Sequence, residues 1–256
     1  DAQNQALADV DDQFLWGRNI LVAPVVTPEN HRSVIFPEAG TVWVDMNDPA
    51  KKYEGGTSID IDVPLNVLPH YARGGSVLPR YADTDFTSTK DIDCNKLSLT
   101  YYYVGDNTPS SATDLYDDDH KSTTTIEDDN YQLTHISSEA VPGAFSIALE
   151  SNGKHSGAKE MSIIVPDYKY NVKEVTIDGV PTENFSVVDN TLTIPFAWDS
   201  SKATTVVDVR HDGSSGITDI IDGGNDDNRI FNVSGIQVDG NYHGTVIKNG
   251  KKEIQR

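Results

Sequence analysis

The sequence predicts an all-β protein, with two tandem β-sandwich domains followed by a short C-terminal tail that resembles a β-hairpin. Short segments rich in β-branched and aromatic residues recur along the chain and are separated by Gly, Pro, Asn and Asp turns. Residues 59–63 alternate apolar and acidic side chains, which gives a strand one buried and one wet face. Helical periodicity is nearly absent after residue 79, so the many short strands indicate sandwiches.

The composition excludes several function classes. The chain has 256 residues and a net charge of −20, which argues against nucleic-acid binding because little would neutralise phosphate. No apolar run of about 18 residues occurs, so no membrane span is expected. The one cysteine, Cys94, cannot form an internal disulfide and has no obvious catalytic partner beside it.

The first sandwich is predicted over residues 1–80. A short helical or irregular lead-in over 1–18 precedes apolar strands at 19–26 and 32–36, and a β-branched run at 41–44. The turn at Asn47-Asp48-Pro49 and the Gly55-Gly56 break separate the next strands. Pro64 ends the strand over 59–63 because proline has no N–H to give to a ladder.

The second sandwich is predicted over residues 96–211, after an acidic linker at 81–95. Its seven expected strands lie at 97–104, 131–136, 144–150, 161–165, 172–177, 191–196 and 204–210. Asp178-Gly179 is a hairpin-type turn dipeptide. A Gly- and Ser-containing linker at 212–228 leads to the tail at 229–256, where Asn249-Gly250 is a strong hairpin signal.

Several motifs in the first 80 residues resemble, in order, the region that follows the catalytic barrel in glycoside hydrolase family 31. They are residues 11–17 (DDQFLWG), 21–25 (LVAPV), 37–43 (PEAGTVW), 53–56 (YEGG), 63–65 (VPL) and 68–79 (LPHYARGGSVLP). The family contains α-glucosidases and α-xylosidases. The resemblance implies that this chain is the non-catalytic C-terminal part of a retaining α-glycosidase. The catalytic barrel, with its two Asp residues, would lie upstream of residue 1 and would be the main partner.

Residues 43–48 (WVDMND) imitate the W-x-D-M-N-E signature that carries the catalytic nucleophile of this family, with Asp48 in place of Glu. One interpretation makes Asp45 a nucleophile. The other places it in a hairpin of the sandwich, and the flanking PEAG and YEGG motifs favour this reading. A barrel needs about 250 residues of alternating strand and helix. A retaining glycosidase also needs a second carboxyl about 5–5.5 Å away. We therefore expect no catalytic residue in this chain.

Five residues are expected to dock on the missing barrel: Phe14, Trp16, Arg73, Gly74 and Gly75. Gly-Gly permits close backbone approach, and the guanidinium offers a forked donor. The alternative for the Arg73 segment is a plain turn.

The acidic run at 115–122 (LYDDDHKS) resembles a family segment that usually has Gly where this chain has His120. Asp117, Asp118 and Asp119 are candidate ligands for Ca²⁺, which prefers carboxylate oxygens. The EF-hand spacing is absent, and the alternative is a solvated acidic loop. No other cofactor is expected, because the seven histidines are scattered without zinc-site spacing.

Tyrosines of the second domain give a sugar-binding hypothesis. Tyr101, Tyr103 and Tyr116 are candidates for stacking on sugar rings, and Tyr101 and Tyr103 share one face of their strand. Tyrosines at such positions also serve as core residues or cross-strand pairs. A free-standing carbohydrate-binding module is accordingly the alternative function.

The tail over 229–256 resembles C-terminal tails of secreted Bacteroidetes proteins, in which such a segment serves export or surface sorting; the alternative is a hairpin without that role. Residues 1–5 are polar and lack the apolar segment of a signal peptide. Under the family resemblance, the natural N-terminus lies further upstream. The expected location is secreted, periplasmic or on the cell surface.

Overall fold

The computed structural model describes residues 7–82, 87–154 and 157–212, and in the tail the backbone of residues 230–232, 237–238, 244–248 and 251–255. The described residues are dominated by β-strands, which confirms the predicted all-β class. The chain divides into two compact units, residues 1–211 and 212–256.

The first sandwich is built from seven strands. They are β1 (Phe14–Trp16), β2 (Ile20–Val22), β3 (His31–Ile35), β4 (Val42–Asp45), β5 (Lys52–Glu54), β6 (Ser58–Asp62) and β7 (His70–Arg73). Five of them form one antiparallel sheet in the order β1-β2-β7-β4-β5, and β3 pairs with β6 in a second sheet. The alternation predicted for residues 59–63 is present in β6, whose two isoleucines pack against the core.

Aromatic side chains fill the core of the first sandwich. Phe36 and Trp43 are fully buried, and Phe36 stacks on Tyr53 with ring centroids 4.8 Å apart. Tyr71 meets the Phe36 ring edge-on at 4.9 Å. Offset and edge-on pairs are the favoured aromatic geometries, so this trio adds specific packing to the burial of apolar area.

The second sandwich contains eleven strands in two sheets. They are β8 (Val77–Tyr81), β9 (Lys96–Tyr101), β10 (Ser111–Asp117), β11 (Gln132–Val141), β12 (Ala144–Gly153), β13 (Ala158–Val165), β14 (Val172–Ile177), β15 (Val180–Pro181), β16 (Ser186–Val188), β17 (Thr191–Asp199) and β18 (Thr204–His211). One sheet has the order β10-β11-β12-β18-β14-β15 and the other β16-β17-β13-β9-β8. Inward-facing side chains of both sheets form one large core. Burial of such apolar area is the main stabilising term.

The boundary between the sandwiches differs from the prediction of residue 80. Strand β8 pairs with β9 and therefore belongs to the second sandwich. The chain leaves the first sandwich after β7 and enters the second within residues 74–76. The acidic segment predicted as an interdomain linker is instead a connection between two paired strands of the same sheet.

A small junction cluster joins the two sandwiches. It comprises the buried side chains of Val44, Ala72, Leu78 and Tyr102. Across the junction the Gly75 N–H donates to the Tyr102 carbonyl at 2.8 Å. An ion pair between Lys52 and Asp167 lies at 2.7 Å. Strand β4 is thus buried on both faces, because Trp43 points into the first core and Val44 into the junction.

The tail holds four described strands, β19 (Ile230–Asn232), β20 (Gln237–Val238), β21 (Gly244–Lys248) and β22 (Lys251–Gln255), in the order β20-β19-β21-β22. Lys248 pairs with Lys251 in an antiparallel hairpin. Asn249-Gly250, the turn that the sequence predicts between them, lies outside the described residues.

Candidate functional site

Arg73, at the end of β7, contacts residues from several of the motifs of the first sandwich. Its guanidinium forms a forked ion pair with the Glu38 carboxylate, one arm of which measures 3.1 Å from Nη2 to Oε1. Its Cζ lies 4.8 Å from the centroid of the Trp43 ring. Its Nε donates to the Arg18 carbonyl at 3.1 Å, which ties the β1–β2 turn to the same group. A lysine could reproduce neither the fork nor the stacking.

The backbone explains why Glu38 faces Arg73. Glu38 has a φ of 63°, and its carbonyl accepts from the Thr41 N–H at 3.1 Å. Gly55 packs so closely that a Cβ there would lie 2.0 Å from the Glu38 carbonyl oxygen. The PEAG and YEGG motifs are therefore two sides of one backbone contact, and only Gly fits the second.

The charge of Arg73 also sets the ionisation of its partner. The hydrogen bond from Arg73 lowers the pKa of the Glu38 carboxyl below its ordinary value, and the partial burial of that carboxyl opposes this only in part. The pair is thus ionised at neutral pH on the side of the sandwich that carries the β1–β2 turn.

The first strand presents an exposed apolar edge. Phe14 is 56% exposed, Leu15 42% and Trp16 71%. Among the described strands, β1 pairs only with β2, so its other edge keeps unpaired backbone groups. We call Phe14, Leu15 and Trp16 the β1 edge. The sequence predicts a helical or irregular lead-in over residues 1–18, whereas Phe14–Trp16 form a strand. Leu15 joins Phe14 and Trp16 on the exposed surface because both faces of β1 are open to solvent.

Gly74 and Gly75 do not share this exposed surface, which corrects their expected role in docking to the barrel. Both are buried where the two sandwiches meet. A Cβ on Gly75 would lie 2.1 Å from the Pro109 carbonyl oxygen, and the Ser138 hydroxyl donates to the Gly75 carbonyl at 2.6 Å. The close backbone approach that Gly-Gly permits is therefore made to the second sandwich.

Asp45 ends strand β4 and stabilises the turn that follows. Its Oδ1 accepts from the Asn47 N–H at 2.8 Å and from the Asp48 N–H at 3.3 Å. The neighbouring Asp48 carboxylate pairs with Lys51 at 3.2 Å. Side-chain bonds of this kind are typical of Asx turns, and they match the hairpin interpretation of residues 43–48.

The acidic run is held by protein groups. Asp117 lies 2.9 Å from the buried ammonium of Lys159 and 3.1 Å from His120. Asp118 accepts from the Tyr116 hydroxyl at 2.9 Å, and Asp119 accepts from Ser122. His120 adopts a φ of 54°, the left-handed conformation for which its position usually has Gly.

Calcium at this run stays a prediction. Within the described ranges, no group of three or more His, Cys, Asp or Glu side chains is arranged to hold a metal ion. If the run binds calcium, Ca²⁺ should raise the midpoint of thermal unfolding of the wild-type chain but not that of an Asp119→Asn variant. An equal rise in the wild type and the variant would contradict the prediction.

The sugar-stacking candidates separate into two groups. Tyr101 is 0% and Tyr103 4% exposed, and both rings pack on Phe145 in the second core, at 5.1 and 5.3 Å. Neither can stack on a sugar, because the core covers them, so their predicted role is replaced by the core alternative. Tyr116 is 43% exposed and stays a candidate.

The comparison with family models confirms the predicted resemblance. Residues 2–78 match the model of the glycosyl hydrolase family 31 C-terminal domain. This is the same stretch that carries the motifs gathered around Arg73. No helix in the described part of the chain is long and apolar enough to cross a membrane.

Individual relatives and a solved structure are similar over longer stretches. The chain is 30% identical to the α-xylosidase of Saccharolobus solfataricus over 116 residues, 45% of this chain and 15% of that protein. It is 29% identical to α-glucosidase 2 of Bacillus thermoamyloliquefaciens over 168 residues, 66% of this chain and 20% of that protein. The chain thus spans a fifth or less of either relative.

The structural comparison supports the same fold. The Flavobacterium johnsoniae family 31 dextranase, solved in complex with isomaltotriose, matches with a TM-score of 0.67 and 22% identity. The match covers 78% of this chain and 27% of the dextranase. The first sandwich therefore matches the C-terminal domain of family 31 enzymes, and the structural match shows that the fold shared with the dextranase extends over most of the chain.

Proposed function

We propose that this chain is the non-catalytic C-terminal region of a retaining α-glycosidase of family 31, which hydrolyses α-glucosidic or α-xylosidic bonds. Its sandwiches pack against the catalytic barrel of the same enzyme and stabilise it. The match of residues 2–78 to the C-terminal domain supports this assignment, as do alignments that cover a fifth or less of each relative.

The observation that carries the proposal is the β1 edge. Phe14, Leu15 and Trp16 follow one another on a strand whose outer edge is unpaired within the described residues. Contiguous exposed apolar side chains on an edge strand are unusual on a surface that faces only solvent and are typical of a contact site. The Arg73–Glu38 pair fixes the adjoining turn through Arg18, so the edge is held in place for a rigid partner.

The test is association with the catalytic barrel of the parent enzyme. The barrel and this chain are expressed as separate polypeptides, and co-purification is measured together with glycosidase activity. The wild-type chain should associate and stabilise the barrel, while Phe14→Ser with Trp16→Ser should weaken association at least tenfold.

The matched control is Val188→Ser, which removes another exposed apolar side chain, 63% exposed on strand β16 of the second sandwich. Association should be unchanged in this variant, and the isolated variants should melt at wild-type temperature. Equal association in all the variants would overturn the docking role of the β1 edge. So would a barrel whose stability and glycosidase activity are the same with and without this chain.

The absence of catalysis is tested separately with nitrophenyl α-glucoside and α-xyloside. We expect no turnover by the chain alone, since Asp45 serves the turn after β4. Turnover that disappears in Asp45→Asn would instead establish the interpretation in which Asp45 is a nucleophile.

We also propose that the parent enzyme is exported, to the periplasm, the cell surface or the medium, and that the tail over 229–256 takes part in sorting. The support is the resemblance of this segment to tails of secreted proteins. Fractionation of cells that produce the enzyme with and without the tail tests it: deletion should leave the enzyme away from the surface, and an unchanged distribution would contradict the sorting role.

A further inference from the structure

An aromatic pair, of which Tyr116 is exposed and Tyr131 half-buried, lies at one end of the outer face of the six-stranded sheet. Tyr116 on β10 and Tyr131, just before β11, stack with ring centroids 5.5 Å apart and planes 22° from parallel. Leu133 stands directly opposite Tyr116 in the strand pairing and is 40% exposed. We call Tyr116, Tyr131 and Leu133 the aromatic platform.

The Tyr116 ring is fixed before any ligand arrives. Its hydroxyl donates to Asp118 Oδ2 at 2.9 Å and lies 2.9 Å from the hydroxyl of Thr125, a buried residue. Anchoring of the hydroxyl at one end and stacking along the ring restrict rotation of the side chain. A side chain that is already ordered loses less entropy on binding, which favours recognition by an exposed aromatic.

Hydrogen-bonding groups occupy the next row of the same face. Asp114, His135 and Glu150 are paired across β10, β11 and β12, with His135 Nδ1 2.8 Å from Asp114 Oδ1. These positions are two residues along the strands from Tyr116 and Leu133, about 7 Å away. All three residues are exposed. The face therefore sets an apolar surface beside carboxylate acceptors and an imidazole.

We propose that the aromatic platform binds a neutral oligosaccharide of α-linked glucose. A pyranose ring has C–H groups that pack on an aromatic ring and hydroxyls at its rim that donate to carboxylates, and this combination matches the two rows. The neighbouring Asp114 and Glu150, with a net charge of −20 for the chain, disfavour anionic ligands. The α-linkage rests on the proposed function, whereas the platform itself does not.

The test is affinity gel electrophoresis of the whole chain in gels that contain dextran, pullulan or hydroxyethylcellulose. We expect retardation by at least one of the two α-glucans and little by hydroxyethylcellulose. Tyr116→Ala should weaken binding at least tenfold, and His135→Ala about threefold. Tyr116→Phe keeps the ring and should retain most of the binding.

The matched control is Tyr81→Ala, because Tyr81 is similarly exposed, at 41%, on a strand of the other sheet. Binding should be unchanged in this variant. If Tyr116→Ala fails to fold, the loss expected for His135→Ala still decides the result. Retardation by neither α-glucan, retardation only by hydroxyethylcellulose, or equal retardation of the wild type, Tyr116→Ala and His135→Ala would overturn the platform.

These results are independent of association with the barrel, because they are measured on the chain alone. If the chain binds α-glucan but does not associate with the barrel, the aromatic platform is supported and the docking role of the β1 edge is overturned. If the chain associates with the barrel but binds no α-glucan, the docking role is supported and the aromatic platform is overturned.

Discussion

At the residue scale, the first sandwich depends on a single guanidinium. Arg73 pairs with Glu38, lies over Trp43 and holds the Arg18 carbonyl. Residues distant in sequence meet there because β7 and β4 are neighbouring strands and Trp43 pairs directly with Arg73. The motifs at residues 37–43, 53–56 and 68–79 thus meet in one structural contact.

This contact predicts a pH dependence of stability. Because the folded pKa of Glu38 is depressed, its contribution is fully present above the ordinary value of 4.5 and is lost as the pH falls through the folded value. Glu38→Gln should lower the free energy of unfolding by about 0.5–1 kcal/mol at pH 7. The difference from wild type should shrink below pH 4.5 and approach zero in stronger acid. Urea unfolding across the pH range measures it.

The control for this prediction is Glu54→Gln, an exposed glutamate on strand β5. It should show little difference from wild type at any pH. A Glu38→Gln difference that stays constant from neutral to acid pH would show that the ionised pair does not contribute as described.

His120 permits a second prediction at this scale. The family segment that residues 115–122 resemble usually has Gly at this position, and His120 adopts a φ of 54°. A Cβ in the left-handed region costs about 1–2 kcal/mol, so His120→Gly should be more stable than His120→Ala by about that amount. At the adjacent Lys121 the order should reverse, since Gly there only adds freedom to the unfolded chain. Thermal unfolding of the four variants checks this, and Ala at least as stable as Gly at residue 120 would contradict it.

Some residue roles could be predicted from the sequence and others could not. The turn role of Asp45 followed from its flanking motifs. The burial of Tyr101 and Tyr103 did not, because strand periodicity shows which side chains share a face and not what covers that face. In β9 one face meets the second core, and its continuation places Tyr102 in the junction cluster.

At the element scale, tight turns of the second sandwich follow their sequence signals. Asp178-Gly179 has φ values of 53° and 76° between the paired Ile177 and Val180, which is the predicted two-residue hairpin. Asp189-Asn190, at 49° and 56°, forms the same kind of turn between β16 and β17. Asp and Asn both tolerate the left-handed conformation, so this dipeptide is itself a turn signal.

Strand β8 was assigned to the wrong sandwich for a physical reason. It contains Pro79, beside the predicted end of the first sandwich at residue 80. Strand β8 lies at the edge of its sheet and pairs only with β9 among the described strands, so Pro79 interrupts no inner ladder. Only the three-dimensional arrangement shows that its partner lies beyond the acidic connection.

The crossing between the sandwiches makes Gly75 sensitive to substitution. Gly75 has a φ of +89°, and a Cβ would lie 2.1 Å from the Pro109 carbonyl oxygen. Gly75→Ala should therefore lower the free energy of unfolding by about 3 kcal/mol or more, from backbone strain and overpacking together. Gly17→Ala, at a φ of +64° with open space around it, should cost about 1 kcal/mol. Chemical denaturation compares them, and equal losses would argue against the close contact.

At the scale of the whole molecule, the two sandwiches form one structural unit over residues 1–211. The junction cluster buries the outer face of β4 and β7. Strand β8 follows the first sandwich directly in the sequence but pairs with β9 in the second. The β1 edge belongs to the first sandwich, and the aromatic platform to the second. A barrel docked on the first would therefore carry the second as a rigid extension.

Because the two sandwiches form one compact unit, fragments of the chain should differ in how they unfold. A chain ending at residue 212 should melt in a single calorimetric transition, with calorimetric and van't Hoff enthalpies in agreement. A chain ending at residue 82 should aggregate or melt without cooperativity, because β8 loses β9 and solvent reaches Val44, Ala72 and Leu78, which are 2%, 0% and 8% exposed in the intact unit. Tyr102→Ser in the longer fragment should lower the midpoint without splitting the transition, since it weakens the junction from within one cooperative unit. Two resolved transitions in the longer fragment, or cooperative melting of the shorter one, would show that the sandwiches are stable independently and that the junction is only a contact between them.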